Sequence, residues 1–157
     1  MVGAYPSSTK GRWGMTVAMA VQIAAAFTWL GMVLAISFLE APLKFRAPGI
    51  TVPLGVGIGR LVFRALNVSE AVLWVIILIG LFMGLGQTDV AQWAIFALLA
   101  VDLVLGALVI RPLMDRRVAD GVTRASMPRT ILHFLYIGLE VLKVALLGAF
   151  GVLACLS

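Results

Sequence analysis

Residues 129–157 read RTILHFLYIGLEVLKVALLGAFGVLACLS. The run is apolar almost throughout, yet it carries His133, Tyr136, Glu140 and Lys143. Their spacings of three, four and three put these four on one face of a helix. A run of this length and hydrophobicity is a membrane span. Ionisable groups inside a span are costly, so they turn towards protein or water rather than lipid. A helix with such a stripe needs other helices to cover it.

The rest of the chain supplies them. Its 157 residues are 62% hydrophobic, and the mean hydropathy is +1.11. That is too apolar for an ordinary soluble domain. Four spans are expected, at about residues 15–39, 68–86, 90–113 and 131–156, with connections at 40–67 and 114–130. The expected fold is an all-α integral membrane four-helix bundle of antiparallel up-down topology, forming a single domain. Met15 to Leu39 is too long for the core of a signal peptide, roughly 7–15 residues. In the first connection, Pro42, Pro48 and Gly49 forbid a regular span. A helix is expected to restart after Thr51, with Pro53 in its first turn. The turn at 87–92 is so short that the second and third helices must be neighbours. Gly55, Gly57 and Gly59 lack the strand context of a dinucleotide loop and read as close-packing positions.

The net charge of +5 does not point to nucleic acid, because the basic residues flank apolar segments. Nine of the twelve (Lys44, Arg46, Arg60, Arg64, Arg111, Arg116, Arg117, Arg124 and Arg129) lie on the side of the two long connections. Lys10 and Arg12 lie on the other side, and Lys143 is within a span. The positive-inside bias then places both termini outside the cytoplasm and the connections within it, in a cell membrane. The lone Cys155 excludes an intrachain disulfide and reads as a small apolar residue at a helix end.

Depth places the embedded charges. Asp102 and Lys143 each fall about half way through their spans and are natural partners. Glu140 is one turn nearer the connections than Lys143, followed by Tyr136 and His133. Glu70 enters from the second helix on the same side, where Glu40 ends the first helix. Two readings fit this concentration of polar groups: a structural network that holds the helices together, or a functional pocket open to the cytoplasm. The pocket would bind a small or amphiphilic ligand, or relay ions. One histidine cannot ligate haem on both faces, and His133 with Glu40 or Glu140 is too small a set for a metal. No cofactor is expected. The partners expected are the lipid bilayer and further copies of the chain.

Two resemblances follow from the order of residues. Trp29, Ala41-Pro42 with Phe45, Gly59-Arg60 with Phe63, Pro112 and His133 occur in an order and position that resemble a four-span family of unknown function typified by transmembrane protein 205. Tyr136 and Glu140 depart from its pattern, and it implies the fold but no chemistry. The opening of the second helix, with Arg60, Asn67 seven residues on and Glu70 three beyond, resembles MAPEG proteins, which are glutathione-dependent membrane transferases. That resemblance implies a glutathione site with Arg60 against a carboxylate, Asn67 as a hydrogen-bond former and Glu70 against the ammonium group. The chain departs from it at Gly59, where a glutamate is usual, and in the third helix, which lacks the arginine and tyrosine pattern.

Overall fold

The computed structural model describes residues 16–85, 88–112 and 129–156, except for the side chains of Arg129, Thr130, Leu132 and His133. Helix α1 spans Val17–Val33. Its start is set by Thr16, whose hydroxyl accepts the Met19 amide at 3.2 Å. The helical path continues through a π segment, Leu34–Glu40, into the short α2, Ala41–Lys44. A turn containing Gly49, at φ +78°, leads to α3, Val52–Met83. Only glycine adopts that φ without strain. Thr51 caps α3 and Pro53 sits in its first turn, as the sequence predicts. Helix α4 spans Val90–Val104 and continues into a second π segment, Leu105–Ile110. Helix α5 spans Arg129–Leu156.

Helix α3 is one continuous rod of 32 residues, running from the expected restart after Thr51 through residues 52–67 of the connection into the second span. At about 1.5 Å per residue it is about 48 Å long, well beyond a hydrocarbon core of about 30 Å. Its first turns, which bear Arg60 and Arg64, therefore have length to spare outside the apolar layer.

The chain is an all-α bundle with four helical stretches long and apolar enough to cross a membrane: Val17–Lys44, Val52–Met83, Val90–Ile110 and Phe134–Leu156. Its surface is that of a multi-pass membrane protein. Val72, Ile79, Val101, Leu108, Phe134 and Val141 are exposed, while Glu70, Asp102, Glu140 and Lys143 are buried. In water this distribution would leave large apolar patches open to solvent. In lipid it leaves apolar groups against acyl chains and polar groups against each other.

Contacts between helices pair early residues of one with late residues of the next. Gln22 packs on Gly80, Trp29 on Glu70 and Lys44 on Gly59. Phe27 packs on Gly151, and Ser37 meets Glu140. The expected close packing holds at Gly55, which lies under the Phe45 ring, and at Gly59, which lies under the Lys44 side chain. Gly57 has open space instead.

One buried face runs the length of each helix. On α5 it comprises Glu140, Lys143, Leu147, Phe150 and Ala154. On α3 it includes Leu66, Glu70, Ile77 and Leu81, and on α4 it includes Phe96, Leu99 and Asp102. The face is charged towards the long connections and, apart from Gln22 and Gln92, apolar towards the termini.

Candidate functional site

The centre of the polar half is Lys143. Its Nζ lies 2.9 Å from Glu70 Oε1, 3.3 Å from Glu140 Oε1 and 3.5 Å from Asp102 Oδ2. Each contact follows from where a helix delivers its residue. Glu140 is one turn back on α5, Glu70 lies on the buried face of α3, and Asp102 lies on that of α4. All four residues are between 1% and 3% exposed. The depth match between Asp102 and Lys143 is thus realised, but Glu70 is the closer partner.

A second layer holds the carboxylates. Trp29, fully buried on α1, donates its indole N–H to Glu70 Oε1 at 3.1 Å. The Ser37 hydroxyl donates to Glu140 Oε2 at 2.9 Å. Arg111 approaches the other Glu140 oxygen at 3.7 Å, donates to the Tyr136 hydroxyl at 3.3 Å and donates to the Phe63 carbonyl at 2.8 Å. Its guanidinium also stands 5.1 Å from the Phe63 ring centre and 5.6 Å from that of Tyr136. Such cation–π contacts stabilise a charge held away from water. The sequence reading placed Arg111 with the flanking basic residues. The structure draws it into the bundle, with its side chain 13% exposed.

The two π segments explain how Ser37 and Arg111 reach the cluster. The Ala41 amide donates to the Ile36 carbonyl and the Arg111 amide to the Gly106 carbonyl, each five residues back. A π turn accommodates one extra residue and so rotates everything beyond it. Arg111 lies nine residues after Asp102. At about 100° per residue a regular helix would set the two about 180° apart, whereas nine residues wound as eight leave about 80°. Ser37 lies eight residues after Trp29. The same correction reduces an offset of about 80° to about 20°. Both residues are thereby turned onto Glu140.

Towards the connections the polar path continues. Lys44 Nζ stands 5.4 Å from the Phe63 ring centre and pairs with Glu40 at 3.3 Å. Glu40 thus belongs to an outer, partly exposed pair rather than to the central cluster. Asn67 is half-buried on α3. Arg60 is half-buried about three turns from Glu70 along the same helix. The His133 side chain lies outside the described residues. Towards the termini the bundle is closed by aromatic rings. Trp74 stacks on Phe96 at 4.5 Å, and Trp93 meets Phe96 and Phe82 edge-on at 6.2 and 5.7 Å.

The side chains of the central cluster close on one another. A groove of about 470 Å³ does exist, on the outward face of α5 between Ile131, Phe134, Leu135, Gly138, Leu139 and Leu142, and it is apolar. Among the described residues no group of three or more His, Cys, Asp or Glu side chains is arranged to hold a metal ion.

Among the described residues the cluster contains three carboxylates, from Glu70, Asp102 and Glu140, against two cations, Lys143 and Arg111. With every group ionised it carries one uncompensated negative charge in a medium that tolerates none. Neither oxygen of Asp102 accepts a hydrogen bond among the described residues. Compared with family models, with curated proteins and with solved structures, the chain has no match.

Proposed function

We propose that this protein takes up a small cation from the side of its long connections and holds it at the middle of the bundle. What carries this reading is the uneven charge count of the buried cluster, since one more positive charge would neutralise it. The path that leads in supports the same direction of entry. Glu40 and Lys44 stand at its mouth, Phe63 lies between Lys44 and Arg111, and Tyr136 and Arg111 adjoin Glu140. Beyond Asp102 the Trp74, Phe96 and Trp93 rings pack on one another, and no buried carboxylate follows among the described residues. The protein is therefore read as a one-sided relay or binding module rather than a continuous pore. By the count of basic residues that side is the cytoplasmic one.

The MAPEG-type transferase is the other reading of the sequence. It requires Glu70 free to receive an ammonium group, and Glu70 is already engaged by Lys143 and Trp29. Saturable heat of binding with millimolar glutathione would revive it.

A ligand that binds only the folded state raises its stability by mass action. The melting temperature of the purified protein in detergent should therefore respond to one of sodium, potassium or hydrogen ions. Glu140→Gln, which removes the excess charge, should abolish the response. A melting temperature indifferent to all three ions in the wild type would sink the proposal.

A further inference from the structure

The cation can be named from the contacts of the three carboxylates, on the basis of the cation-binding reading above. Glu70 Oε1 receives two donors, Trp29 and Lys143. Glu140 receives Ser37 on one oxygen and Lys143 on the other, with Arg111 close by. Asp102 has only the 3.5 Å approach of Lys143 to Oδ2, which is not a hydrogen bond, and Oδ1 has none. Hydrogen bonds to a carboxylate favour its charged form. A buried carboxylate without them is the one that sheds its charge. The positions from which a metal ion could bridge the three acids are taken by the Lys143 ammonium group itself.

We infer that Asp102 is a proton-binding site, and that the bundle at rest holds it as a neutral carboxylic acid. The groups that face it are Lys143 and Glu140 from α5 and Glu70 from α3, and Arg111, beyond its own π segment, stands beside Glu140. Helix α1 contributes no ionisable group here, only Trp29 acting through Glu70. With Asp102 neutral, two carboxylates balance two cations. The step is a plain transfer in which a hydronium ion from the connection side gives its proton to an Asp102 carboxylate oxygen and becomes water. No other bond changes. Release reverses it and leaves the cluster with one negative charge, held until the next proton arrives.

Infrared spectroscopy of the full-length protein in lipid tests this, because a protonated carboxylic acid has a carbonyl-stretch band that a carboxylate lacks. At neutral pH surface acids are ionised and silent in that region. The wild type should show one such band, shifted by carbon-13 labelling of aspartate but not of glutamate, and absent in Asp102→Asn. Absence of the band from labelled wild-type protein is decisive by itself, so a failure of the variant to fold leaves the test intact. Absence of an aspartate-sensitive acid band at neutral pH overturns the assignment. If that absence accompanies a melting temperature that follows sodium, the cation-binding reading stands and only the proton falls. If the band is present but unchanged by pH over the whole range of stability, the assignment stands and the relay falls.

Discussion

The two halves of this bundle are built on the same helical faces and differ in what those faces carry. Towards the termini, Leu147, Phe150, Ile77, Leu81, Leu99 and Phe96 form a close-packed apolar core. Towards the long connections the same faces carry Glu140, Lys143, Glu70 and Asp102. Helix geometry alone would have served either half. In lipid, apolar packing costs nothing to insert, whereas an embedded charge costs roughly 2.5–3.5 kcal/mol before pairing. The polar half has accepted that cost several times over. The apolar half has the simpler task of closing the bundle and excluding ions.

The largest effect should come from breaking the polar half at its centre. Lys143→Met leaves Glu70, Asp102 and Glu140 buried with Arg111 alone, and stability in detergent should fall by about 3–5 kcal/mol. Adding Glu70→Gln should restore part of the loss, and simple additivity of the two would refute their direct pairing. The next largest tests the phase argument. Deleting Leu108 from the second π segment should convert it to regular helix and turn Arg111 by about 100° away from Glu140. Circular dichroism should show helicity retained. Stability should fall by about 2 kcal/mol with the loss of the hydrogen bonds of Arg111, and the response to cations should weaken with it.

The apolar half supplies the contrast. Phe96→Leu loses a stacked and an edge-on aromatic contact and should cost about 1–1.5 kcal/mol. It should leave the response of melting temperature to ions unchanged. A changed response would mean that the two halves are not separable. The smallest effect belongs to Ser37→Ala. Single interhelical polar contacts in membranes average about 0.6 kcal/mol, and a similar loss is expected here. A loss above about 2 kcal/mol would show that leaving Glu140 Oε2 unpaired costs its full desolvation.

The sequence by itself determined the all-α class, the four apolar stretches and the stripe of Tyr136, Glu140 and Lys143. All three rest on hydrophobic periodicity, which is local, and on length, which needs no tertiary information. Depth along the spans was also enough to bring Asp102 and Lys143 to one level. Tertiary structure alone decided which donors reach which carboxylate. Trp29 was legible as an aromatic residue in a span, but its bond to Glu70 depends on how α1 is rotated against α3. Glu40 lay at the expected end of its helix yet pairs outward with Lys44. Arg111 and Ser37 could not have been found by counting turns at 3.6 residues. The one extra residue in each π segment changes the phase of everything beyond it, and no apolar repeat in the sequence marks where that residue is inserted.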